Sequence, residues 1–235
     1  MTDNPSACHP KNQESIPGVT GGPLSTKSAI LETGASLTQD FAPVKNICAH
    51  LNAFHVYASD PTRAPVETNH YCGHLTEDVR QCILYDSPGP NARILGIEYM
   101  ISPQLYSTLE SEEKRLWHSH VFEVKSGMLI MPQPNPLVPL AAWEKAENAE
   151  MEQVVELYGK IFHLWQVDRG DKIPLGRPEL MTSLTEASQW PGGGEAAMEK
   201  ALDERDARFP GQGGWRRKKE NRAYIKEPEI HPGEL

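Results

Sequence analysis

Between residues 36 and 54 the apolar positions Leu37, Phe41, Val44, Ile47, Cys48, Leu51 and Phe54 recur every three or four residues. That spacing predicts an amphipathic helix with one dry face. The period then shortens. Segments 66–75, 79–86 and 93–101 are rich in β-branched and aromatic residues and are divided by turn signals. The clearest of these, Ser87-Pro88-Gly89-Pro90-Asn91, predicts that the second and third segments are neighbouring antiparallel strands. Ser102-Pro103 starts a helix, with serine as cap and proline at the first helical position. A second short helix is expected through Glu110 to 116.

Residues 118–124 read as a strand, and 127–131 continue the sheet after a turn at Lys125-Ser126. Pro132, Pro134, Pro136 and Pro139 make a stiff connector. A long helix is expected over 140–158, with Gly159 as its terminator. Alternation at Ile161, His163, Trp165 and Val167 predicts a further strand, closed by the turn Asp168-Arg169-Gly170-Asp171. The pattern as a whole predicts an α+β fold: an antiparallel sheet of four to six strands with packed helices, flanked by a disordered N-terminal tail. The expected divisions are a tail over 1–35, a core domain over 36–190, and a peripheral helix or loose tail over 191–235.

Composition narrows the classes. Hydrophobic residues make up 38% of 235 residues, with 20 prolines and 18 glycines, which suits one core domain with irregular flanks. A net charge of -9 argues against nucleic acid as a partner. No stretch approaches the ~18 apolar residues of a membrane span, and the first 26 residues carry no signal-peptide core. A cytoplasmic protein is therefore expected. Cys8, Cys48, Cys72 and Cys82 are too few and too scattered for a disulfide framework, so reduced thiols are expected. Cys48 and Cys82 read as core residues.

The chemistry concentrates in the histidines. Seven of nine lie between residues 50 and 163, and four form two tight clusters, His70-Tyr71-Cys72-Gly73-His74 and His118-Ser119-His120. On strands, period two puts His70, Cys72 and His74 on one face, and His118 with His120 on one face. Two such strands side by side would offer imidazoles and a thiol to one divalent ion. These ligands suit zinc, iron or copper, zinc or iron best, and not magnesium or calcium. Glu98 and Glu123 are the nearest carboxylates, able to complete the site or act as a catalytic base. His-x-His followed by glutamate also occurs in cupin barrels, but Glu123 comes one residue too early and no matching second half follows.

Each cluster also has a plain reading, as strand histidines satisfied by backbone or carboxylate partners, with Cys72 a buried thiol. His55 reads as a helix C-terminal cap. Tyr99, Trp117, His163 and Trp165 are candidate walls of a substrate pocket. The run Trp215-Arg216-Arg217-Lys218-Lys219 is the one concentrated basic patch and reads as a solvated face, or else as a contact for anionic lipid. Gly192-Gly193-Gly194 lacks the context of a phosphate loop, and no Gly-x-Ser-x-Gly elbow is present.

Several strings resemble the oil body-associated protein family. They are Glu67-Thr68-Asn69-His70-Tyr71-Cys72-Gly73-His74-Leu75, Arg80-Gln81-Cys82, Gly96-Ile97-Glu98-Tyr99, the stretch from Leu116 to Gly127, and His163-Leu164-Trp165-Gln166-Val167-Asp168-Arg169-Gly170-Asp171. The resemblance runs from about 36 to 208. It implies a protein found with seed oil bodies, peripheral on the droplet because no apolar hairpin is present, and it names no reaction. Three functional readings follow. One is a peripheral lipid-droplet protein. The second is a metal-dependent enzyme acting on a small apolar metabolite or lipid. The third is a binding module for a small apolar ligand.

Overall fold

The computed structural model describes residues 16–132 and 137–228. The expected N-terminal tail up to residue 15, the middle of the proline connector, and the last seven residues lie outside them. Two helices, α1 (Thr26–Thr38) and α2 (Ala42–Lys45), lead into four antiparallel strands: β1 (Ala49–Tyr57), β2 (Val66–His74), β3 (Val79–Tyr85) and β4 (Ile94–Ile101). Short helices α3 (Pro103–Ser107) and α4 (Ser111–Lys114) follow, then a two-residue strand β5 (His118–Ser119) and helix α5 (Val121–Lys125). Helix α6 (Leu140–Val154) precedes β6 (Tyr158–His163) and β7 (Glu179–Thr182), and α7 (Gly194–Ala207) and α8 (Gly214–Asn221) follow.

The sheet is not open. β4 pairs with β3 on one side and with β6 on the other, and β7 joins β6 back to β1. Six antiparallel strands thus close into a barrel, and β5 adds two residues beside β6. This overturns the expected open sheet packed with helices. Closure needs close approach where β4 meets β6. Gly96 provides it, since a Cβ there would collide with the Phe162 carbonyl.

The first predicted helix is also overturned over its second half. Residues 49–57 form β1, paired with β2 from Ala49↔Cys72 to His55↔Val66. Every residue from Leu51 to Tyr57 is buried. Both faces of β1 are covered, so the strand loses the alternation that reveals strands, and its apolar residues fit a helical spacing by coincidence. On one face Leu51 and Ala53 pack with Val121, Val124, Met151 and Val154 of α5 and α6. On the other, Phe54 and Val56 pack with Trp190, Met198, Leu202 and Trp215.

Inside the barrel Tyr57, Cys72, Cys82, Leu84, Leu95, Met100, Ile161 and Met181 form the apolar core. Cys72 and Cys82 face each other in the β2–β3 register and are joined as a disulfide, against the expectation of reduced thiols. Cys48, expected in the core, is exposed. The bridge closes a short loop, so reduction should lower unfolding stability by about 2–3 kcal/mol on loop-entropy grounds. Urea titrations with and without reductant measure this.

The C-terminal helices are bound by charge as well as apolar contact. Lys218 and Arg222 both reach Glu147 of α6, Arg222 at 3.1 Å, and all three side chains are buried. The basic run is therefore not a uniformly solvated face: Arg216 is exposed on α8 while Lys218 is inside.

Candidate metal centre

Strand parity decides what enters the barrel. His55 (β1), His70 (β2), Glu98 (β4), His118 (β5) and His163 (β6) are all at inward positions, and all are almost completely buried. The expected strand over 118–124 stops after Ser119, and α5 begins at once. His120 therefore sits at the helix start, from which it and Glu123, one turn on, point into the same interior.

The polar atoms converge. Glu98 Oε1 is 3.3 Å from His120 Nε2 and 3.9 Å from His118 Nε2, and Glu98 Oε2 is 3.3 Å from His70 Nε2. His120 Nε2 lies 3.9 Å from Glu123 Oε2. Behind them runs a line of imidazoles, with His70 Nε2 at 2.9 Å from His55 Nε2, and His55 Nδ1 at 3.1 Å from His163 Nε2. His120 is oriented from outside the cluster by Nδ1–H donation to the Leu157 carbonyl at 2.9 Å. Neither oxygen of Glu98 nor Nε2 of His118 has an aligned hydrogen bond, though all are buried. Lone pairs left unmatched in an interior are costly unless something occupies the space between them.

Gly159 makes this convergence fit. It pairs with Met100 on one side of β6 and with His118 on the other. A Cβ there would overlap Glu98 Oε1 and lie 2.8 Å from Cε1 of both His118 and His120. The residue expected to end a helix is instead the floor of the cluster, and α6 ends earlier, at Val154.

Burial sets the charges. It pushes His118 and His163 down to about 3 and His55 well below its ordinary value, so these rings are neutral. His120 is the exception. Burial opposes its charge, but Glu98 and Glu123 beside it carry it up to about 9. Burial lifts Glu123 to about 7, only partly offset by His120. For Glu98 burial would raise the value, but the surrounding imidazoles outweigh it, and the carboxyl is held below its ordinary range. His55 and His118 are thus in the neutral state that a divalent ion requires, whereas His120 must give up its proton before its Nε2 can bind one.

The other residues singled out in the sequence lie elsewhere. His74 is exposed at the end of β2, one strand position beyond Cys72 on the inward side. Tyr99 points out of the barrel, and with His74 it lines a groove on the outer wall beneath α2. Trp117 packs on Ile101, Tyr106 and Tyr158 and donates its indole N–H to Glu113 at 3.0 Å. Trp165 donates to the Asp171 carbonyl at 2.7 Å. Of the four expected pocket walls only His163 joins the histidines. His55, expected to cap a helix, is the member that the sequence pattern concealed.

A family model described as "Protein of unknown function (DUF1264)" matches residues 41–226, which span the whole barrel and both C-terminal helices. Oil body-associated protein 1A of Zea mays is 43% identical over 216 residues, 91% of this chain and 83% of the relative. The chain belongs to the DUF1264, oil body-associated family. Its relatives also include oil body-associated protein 1B of Arabidopsis thaliana, 43% identical over 92% of this chain and 83% of the relative. Oil body-associated protein 2B of Zea mays is 36% identical over 97% of this chain and 86% of the relative. No solved structure matches. Among the described residues, no helix of this family member is long and apolar enough to cross a membrane.

Proposed function

We propose that this member of the oil body-associated family is a metalloprotein. It holds a divalent transition ion inside its barrel and works in association with oil bodies, as its relatives' names record for them. The ion sits on Glu98 Oε1, His118 Nε2 and His120 Nε2, three buried donors whose ligand atoms lie within 4.8 Å of one another. The observation that carries the reading is that the Glu98 oxygens and His118 Nε2 are buried with no aligned partner. Two nitrogens and one carboxylate favour zinc or iron over magnesium or calcium. A doubly charged ion is balanced by Glu98 and an ionised Glu123, which makes it tolerable in an interior.

Three protein ligands leave a coordination position open, and an ion so held polarises a substrate oxygen or lowers the pKa of bound water towards neutrality. The chain's own part is then clear. Gly159 keeps the floor open, His120 is fixed by Leu157, and Glu123, lifted to about 7, is the carboxylate left to take a proton. The apolar interior excludes water from competing sites.

Elemental analysis of the purified full chain, after incubation with Zn²⁺ or Fe²⁺, tests the reading against His118→Ala/His120→Ala. The expected result is at least one ion per wild-type chain and at least one fewer in the variant. A wild type that folds and retains neither ion sinks the proposal. Flotation with isolated oil bodies tests the location, and a chain that stays entirely in the aqueous phase removes that half.

A further inference from the structure

We infer that the barrel interior is a two-metal centre, with Glu98 bridging a second ion held by His55 and His70. This rests on the metalloprotein reading above and extends it. The observation is that, among the described residues, the potential ligands form two sets of three, Glu98-His118-His120 and His55-His70-Glu98, each with its ligand atoms within 4.8 Å of one another. The two sets share only Glu98, and they divide its carboxylate. Oε1 faces His118 and His120, whereas Oε2 faces His70. A carboxylate that turns one oxygen to each of two nitrogen pairs is placed to bridge.

Two edges of the second set are close to those of a coordination sphere. Donors around a tetrahedral ion at about 2.0–2.1 Å are about 3.3 Å apart along each edge. His55 Nε2 to His70 Nε2 is 2.9 Å, and His70 Nε2 to Glu98 Oε2 is 3.3 Å. The set also has its own outer support. His55 Nδ1 is 3.1 Å from His163 Nε2, which fixes the ring plane and directs Nε2 at the site. His163 is thus a positioning residue. Glu98 Oε2 is buried and without an aligned hydrogen bond, so the second position has an unmatched acceptor of its own. Two divalent ions against Glu98 and Glu123 leave a surplus of two positive charges. A hydroxide derived from water, its proton released to solvent, reduces that surplus when it bridges the pair. Such bridged ions lie roughly 3.5–4 Å apart in hydrolytic centres.

Metal-stripped full chain titrated with Co²⁺ decides the matter, read by bound cobalt per chain and by electron paramagnetic resonance. The expected wild-type result is two equivalents, with the signal of the first weakened by coupling as the second fills. His55→Gln is expected to stop at one uncoupled equivalent. His163→Ala is expected to weaken the second equivalent roughly 10–100-fold and leave the first unchanged. Wild type saturating at one equivalent, with no coupling at excess Co²⁺, overturns the bridge and leaves the single-ion reading standing. Wild type binding no cobalt overturns both. The wild-type count and its coupling decide without the variants, so a variant that fails to fold does not affect the answer.

Discussion

Replacing Glu147 by alanine should cost about 3–5 kcal/mol of folding stability, a large part of the ~5–15 kcal/mol that holds a typical domain together. Glu147 is on α6, almost wholly buried, and accepts from three directions. The Met131 amide donates at 2.8 Å, Lys218 of α8 forms an ion pair, and Arg222 lies 3.1 Å away. Burial depresses both cations, Arg222 to about 10, and Glu147 is the chief group opposing that shift in each. Removing the carboxylate leaves two cations and an amide in a dry interface. Both cations lie in or just after α8, so the change also loosens the helix that places Trp215 and, beyond it, Ile225 on the core. Urea unfolding of wild type and Glu147→Ala measures the difference, and a loss of unfolding free energy below about 1 kcal/mol would show that the network is not a structural clasp. Changing Lys218 to methionine should be far milder, because Arg222 stays paired and the aliphatic stem is retained.

The largest functional effect is expected from the smallest side chain. Gly159→Ala should reduce metal affinity by roughly 100-fold or more, the upper end of what losing the support around a ligand set costs. The added methyl group would occupy space held by Glu98 Oε1 and by the ring edges of His118 and His120. Glu98 cannot retreat, since Gln81, Cys82 and Ile83 on β3 and Phe162 and Ile161 on β6 flank its strand. The barrel itself need not open, because Gly159 keeps its β6 pairing with Met100 and His118 through backbone atoms alone. Isothermal titration with Zn²⁺ gives the affinity, and the thermal midpoint of the metal-free protein reports the fold. Unchanged affinity in a folded variant would mean that the ion does not sit where Glu98, His118 and His120 meet.

Much of the wall was legible in the sequence. Strands β2, β3 and β4 fall within a residue or two of the segments read from their period and turns, because each keeps an exposed or half-exposed face. Five of the residues that converge in the interior were legible as well. His70, His118, His120, Glu98 and Glu123 sit in short strings where polar residues interrupt apolar ones. What stayed hidden shares a cause. β1 is covered on both sides, so neither its strand character nor the inward position of His55 shows in the pattern. Gly159 mimics a helix stop because its reason for being glycine lies on two other strands and a helix start. Lys218 read as surface, since only the third dimension supplies Glu147. Barrel closure is likewise invisible locally. The β4–β6 and β1–β7 ladders join segments that no turn connects.

That closure carries a temporal meaning. The barrel is sealed when Val56 and Tyr57 meet Thr182 and Met181, far apart along the chain. Contacts so distant in sequence form late and slowly during folding. A nascent chain emerging N-terminus first presents His55, His70 and Glu98 long before His163 and β7 exist to enclose them. On the metalloprotein proposal, metal captured then would be held by an unfinished wall and would exchange freely. Retention of the ion should therefore begin only when residue 182 has emerged and paired, which makes slow release of the ion a clock for the moment the ring is shut.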